Sequence, residues 1–217
     1  NVACVGTKSD SSIVELCTQW AKRGYVAISM DYRLGWKADA IGIDADVTLG
    51  TLFQAVYRAI QDAKCCVRYI RANASTLKVD TNRIALGGVG TGAIIADNYV
   101  ALQDTIQLWN QKFLSGTNNA SYGFQQGYPY VNWHLLGDFD GYGGIPQLNN
   151  PNNNPGHSNA IQMLYSIYGE LGDSTWINTN FPPTAALHPM TPPVGGGPYH
   201  WGTIYAGNTG IPVLPDV

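Results

Sequence analysis

The chain has 217 residues, enough for one domain with a substantial core, and 45% of them are hydrophobic. Only 12% are charged, the net charge is −3, and no Lys or Arg follows Lys112. With no basic cluster to neutralise a phosphate backbone, nucleic acid is excluded as an expected partner, and no apolar run approaches the roughly 18 residues of a membrane span.

In chain order, SSIVELCTQWAKRG (11–24) opens with a capping box, Ser12 and Glu15, ahead of Ile13, Leu16, Cys17 and Trp20 at helical spacing. Lys22 and Arg23 suit the last turn and Gly24 the stop, so a helix is predicted over 12–23. YVAISMDYR (25–33) is a continuous apolar run that predicts a strand covered on both faces. Within 51–74, Leu52, Val56, Ala59, Ile60, Ala63, Val67 and Ile70 form one stripe, which predicts a long amphipathic helix. RIALGGVG (83–90) reads as a second buried strand and TGAIIADNYVALQ (91–103) as the helix that follows it. This alternation implies right-handed parallel crossovers. From 104 to 159 periodicity gives way to an aromatic, amide-rich stretch with many Gly and Pro, the composition of a lid or binding surface. AIQMLYSIYG (160–169) and PPTAALHP (182–189) predict two more short strands.

The four cysteines, Cys4, Cys17, Cys65 and Cys66, form no CxxC or CxxCH and have no His at ligand spacing. Small buried thiols are therefore expected, and no cofactor. The adjacent Cys65 and Cys66 cannot easily converge on one another in a helix.

Three stretches, AKRGYVAISMDYRLGW, AVYRAIQDAKCCVRYIRANA and VDTNRIALGGVGTGA, resemble in order and spacing the middle of a secreted bacterial carboxylesterase of the α/β-hydrolase superfamily, over about residues 12–103. The resemblance implies a doubly wound, mostly parallel sheet, a single partial domain over 1–217 with an irregular insertion at 104–159, and incompleteness at both ends. Earlier strands, with the His-Gly-Gly donors of an oxyanion hole, are expected before Asn1, and the last strand, helix and catalytic His after Val217. It also implies an exported protein whose partners are other chains or the missing parts of its own domain.

On that alignment GVGTG (88–92) is the nucleophile elbow, and its nucleophile position is Gly90, which has no atom to attack a carbonyl. The neighbouring Thr91 is the alternative nucleophile, against a role capping the next helix. Asp173 is a candidate acid or a turn cap, while His188 and His200 are candidate bases or structural residues. Asp138 and Asp140 in GDFDGYGG form a fragment of a calcium loop or an Asx-turn. Arg33 is expected to pair with Asp62. Tyr122, Phe124, Tyr128, Tyr130, Trp133 and Tyr142 have the composition of an interface. The function expected is a carboxylesterase-like domain without the usual triad, used in binding or assembly, with an active ester hydrolase using a displaced nucleophile as the alternative.

Overall fold

The computed structural model describes residues 7–140, 142, 144 and 154–187. Helix α1 spans Ser11–Lys22 and closes where Gly24 turns to φ +89°, as its position predicts. The Ser12/Glu15 box does not form. Asp10 is the N-cap residue, its carboxylate is occupied by the Thr7 amide and hydroxyl, and Glu15 accepts instead from Gln19.

Helix α2, Ala45–Ala72, begins six residues before the stripe suggests, because Asp44 accepts from the Val47 amide and supplies the cap. Six of the seven stripe residues are buried, and Val56 is half-buried against the same core. A one-turn helix α3 (Ala74–Leu77) leads into strand β1 (Ala85–Val89) and then helix α4 (Thr91–Ala101). With strands β2 (Met163–Ile167) and β3 (Thr184–Leu187) the described residues form a three-stranded parallel sheet in the order β1-β2-β3, with Gly88 opposite Ser166 and Ser166 opposite Ala186. Helix α4 packs on β1 and β2, and α2 packs on α4. Tyr57, Ile60 and Leu164 lie at the centre of the resulting core.

The strand predicted at 25–33 is absent: these residues form no ladder among the described residues, and Tyr25, Val26 and Ile28 are exposed. Hydrophobicity favours an extended run, but strand formation depends on a paired neighbour, and among the described residues β1 pairs with β2 alone. The segment is held near its end, where Lys8 pairs with Asp31 and Arg33 with Asp62, while Met30 and Tyr32 pack on the core. The Arg33–Asp62 pair meets expectation, with Nη2 and Nε each 2.8 Å from Oδ1.

The described residues after α4 carry only the short turns Thr105–Trp109 and Gln111–Phe113 and the one-turn helix Trp133–Leu136, yet Leu108, Phe113, Phe124, Tyr130, Val131 and Leu136 all enter the core. Buried backbone without a ladder needs other hydrogen-bond partners, and α2 supplies them. Gln54 donates to the carbonyls of Tyr122 and Tyr130, both at 2.9 Å. One turn or two further along, Tyr57 donates to Gly137 and Gln61 to Leu136 and Asp138. Near the start of α2, Asp46 accepts from the Ser115, Thr117 and Tyr130 hydroxyls and from the Gly116 amide.

Candidate functional site

Between β1 and α4 the chain turns through one residue. Gly90 has φ +58° and ψ −122°, a mirror-β conformation that costs a residue with a side chain but not glycine. Its amide donates to the Ile167 carbonyl of β2 at 2.8 Å, and its carbonyl accepts from Ala93 and Ile94 to start the helix. A Cβ built at Gly90 would meet nothing within 4 Å. At Gly88 the opposite holds, since a Cβ would lie 2.3 Å from the Gly92 carbonyl carbon, so a strand packed this closely on the first helical turn needs glycine there. The geometry is that of a sharp strand-to-helix turn with open space where a side chain at Gly90 would project.

Thr91 is exposed as the first residue of α4 and makes no capping bond, which sets aside the capping role expected for it; its Oγ1 accepts instead from the Tyr32 hydroxyl at 3.4 Å. The Tyr32 contact places the end of the 25–33 segment beside the elbow.

Asp173 caps a short 3-10 turn, Ser174–Trp176, accepting from the Thr175 amide and hydroxyl. Its other oxygen accepts from Asn110 and Lys112 Nζ, each at 2.9 Å, and the residue is buried. Burial pushes this carboxyl up, but Lys112 and Thr175 outweigh it and hold it below the usual range. Both oxygens thus serve the fold. His188 and His200 lie outside the described residues, as does Cys4.

Asp138 closes an Asx-turn, accepting from the Asp140 and Tyr142 amides, and Asp140 pairs with the buried Arg68 at 2.5 Å. Each carboxylate therefore has a structural role. Cys17, Cys65 and Cys66 are only partly buried, short of the full burial expected of them, and burial pushes the Cys65 and Cys66 thiols up.

The six aromatics divide. Phe124 and Tyr130 pack with Val47 inside the chain's own core, which turns them away from a partner, and Tyr122 stacks on Phe124. Tyr128 is exposed and makes an edge contact with Trp109, which in turn meets Trp133. Trp109, unremarked in the sequence, thus joins the surface cluster, while Tyr142 is exposed elsewhere in the insertion.

Sequence reasoning also missed Asp97 and Glu170. Asp97 on α4 is 7% exposed and accepts from Ser166 of β2 at 2.9 Å. Glu170 borders an apolar cavity of ≈ 40 Å³ walled by Val56, Ile60, Ile94, Phe113 and Trp176. Burial and the nearby Asp97 carboxylate push its carboxyl up to about 7. One signal was available: Asp97 is the sole charge in TGAIIADNYVALQ, a helix too apolar to leave a face in water.

The described residues thus form a parallel sheet with α4 packed against it and a glycine turn between β1 and α4. The family model BD-FAE matches residues 4–188, and the chain belongs to that family, which is of the α/β-hydrolase, esterase-like type. Comparison with curated proteins and with solved structures found no match in either set.

Proposed function

We propose that this chain is a secreted, carboxylesterase-like domain that lacks a hydrolytic nucleophile and serves in binding or extracellular assembly through its insertion. The observation that carries the reading is Gly90: an elbow in φ and ψ, open above, with no side chain to attack an ester. The exposed Trp109 and Tyr128, with the half-buried Trp133 against Trp109, support the binding half, since an aromatic cluster poor in Lys and Glu has the composition of an interface core.

The test is direct. The full-length protein should turn over p-nitrophenyl acetate no faster than a heat-inactivated control, and fluorophosphonate should not label it. In Gly90→Ser, labelling would mean that a base is in place and only the nucleophile is missing, while silence would mean that more of the machinery is gone.

A second reading is favoured by the Tyr32–Thr91 contact, which puts a phenol beside the exposed threonine hydroxyl of the elbow. Robust esterase activity abolished by Thr91→Ala, but kept in Asp173→Asn, would make Thr91 the nucleophile and overturn the first reading.

A further inference from the structure

Between α2, α4 and the insertion the core is not filled. A cavity of ≈ 40 Å³ lies there, walled mainly by hydrocarbon: Val56 and Ile60 of α2, Ile94 of α4, and Leu108, Phe113 and Val131 of the insertion. None of its described wall residues belongs to the 88–92 turn. A water needs roughly 10–15 Å³ of such space and two to four polar partners, so there is room for about three waters and little to hold them. Space of that size and lining suits one aryl ring or short alkyl group instead.

The polar side chains of the wall are unequal. Tyr57 donates its hydroxyl to the Gly137 carbonyl at 3.0 Å. Asn98 is engaged at both ends, its Nδ2 donating to the Ile94 and Glu170 carbonyls and its Oδ1 accepting from the Gly172 amide. Glu170 differs: its side-chain Oε2 is buried and has no hydrogen-bond partner. An oxygen withheld from water without a donor costs the fold, and a bound donor would offset that cost. The neighbouring cations are spent elsewhere. Lys112 adjoins the wall residue Phe113, but Asp173 holds its Nζ at 2.9 Å, and Lys64 of α2 lies over the Tyr99 and Phe139 rings.

Burial is uneven around the wall. Ile60, Leu108 and Trp176 are buried, whereas Val56, Ile94, Glu170 and Leu171 are half-buried. Glu170 thus belongs to the less buried side, and the most buried side is wholly without charge. A ligand with one polar end and an apolar body matches that order.

We propose that this cavity binds a small apolar amine: its aryl or short alkyl body fills the space between α2, α4 and the insertion, and its ammonium group donates to the Glu170 carboxylate. Such a ligand ties the insertion to both helices. The site goes beyond the reading of the elbow and stands whether or not the chain hydrolyses esters.

The experiment titrates benzylamine, and toluene as its uncharged counterpart, into the full-length protein at pH 8. That lies above the value of about 7 to which burial and Asp97 push the Glu170 carboxyl, so the carboxyl is ionised. Benzylamine should saturate the protein with a Kd of about 1 mM or tighter, and toluene should bind about tenfold more weakly. In the unmodified, methyl-labelled protein, nuclear Overhauser contacts should run from the benzylamine ring to the Val56 and Ile94 methyl groups. Glu170→Gln, which keeps the side-chain volume, should weaken benzylamine by about tenfold and leave toluene unchanged. No saturation by about 10 mM benzylamine, contacts only to methyl groups outside the cavity, or equal affinity for benzylamine and toluene would overturn the proposal. So would a benzylamine affinity that Glu170→Gln leaves unchanged. None of these readouts uses ester hydrolysis, so an active elbow would leave the amine site standing and a failed titration would leave the elbow reading intact.

Discussion

At Gly88 a hydrogen atom in place of a methyl group lets β1 pass against the first turn of α4, with the Gly92 backbone where a Cβ would go. Backbone cannot swing aside as a flexible side chain can, so Gly88→Ala should lower stability by about 2–3 kcal/mol, measured as a shift in urea midpoint. Thr91 lies three residues along the same turn without capping it, so Thr91→Ala should move that midpoint by less than about 0.5 kcal/mol. A capping role would give about 1 kcal/mol instead, which separates the alternatives for this residue. Gly88 was readable from the sequence, because close-set glycines between two apolar runs have few other uses. The state of Thr91 was not, because capping depends on a side-chain rotation that spacing leaves open.

Among the elements, α2 organises the molecule, and its polar residues do as much as its apolar stripe. Gln54 and Gln61 sit where a stripe count would place core, and each satisfies insertion carbonyls. Gln61→Leu would keep the volume but strand carbonyls away from water, and should cost about 2 kcal/mol. Gly50, which masked the first turns of α2 in the sequence, is glycine because a Cβ would lie 2.3 Å from Phe124 and 2.5 Å from Tyr130. The helix could be read from its period. Its true start could not, since the reason for a glycine there is a ring about 70 residues away.

Acid should act on this same junction. Burial pushes the Asp46 carboxyl up, but the Thr117 and Tyr130 hydroxyls and the Gly116 amide bring it below its ordinary value of 3.8. A lowered carboxyl stabilises the fold above its unfolded value and ceases to as pH falls through the folded one. The bonds between α2 and residues 115–130 should therefore weaken below about pH 4. Tyrosine fluorescence during acid titration should show a step in the unmodified protein that Asp46→Asn reduces.

At the scale of the whole molecule, the sequence conveyed the alternation of helix and strand, the elbow and the parallel sense of the sheet. It overstated the 25–33 segment, because an apolar run reports burial tendency while a strand needs a neighbour to pair with. That segment has no ladder and β2 has two, so amides of 25–33 should exchange by orders of magnitude faster than those of Leu164 and Ser166. Equal protection would mean that the segment pairs in solution. The candidate site was half legible for a related reason. The elbow is a local pattern, whereas Asp97, Ser166 and Glu170 meet only because β2 lies beside β1 after more than sixty intervening residues.

Gly90 bears on durability as well as chemistry. A residue with a Cβ at φ +58° and ψ −122° carries about 1–3 kcal/mol of backbone strain, which an active elbow sustains for the sake of its nucleophile. Glycine occupies that conformation freely, so the turn is relaxed here. Gly90→Ala, although its methyl group would point into open space, should therefore lower the melting temperature by several degrees, about 2–4 °C for each kcal/mol of strain restored. Installing a serine would carry the same thermal penalty. Any substitution that puts a side chain on this turn should therefore leave a more heat-sensitive protein.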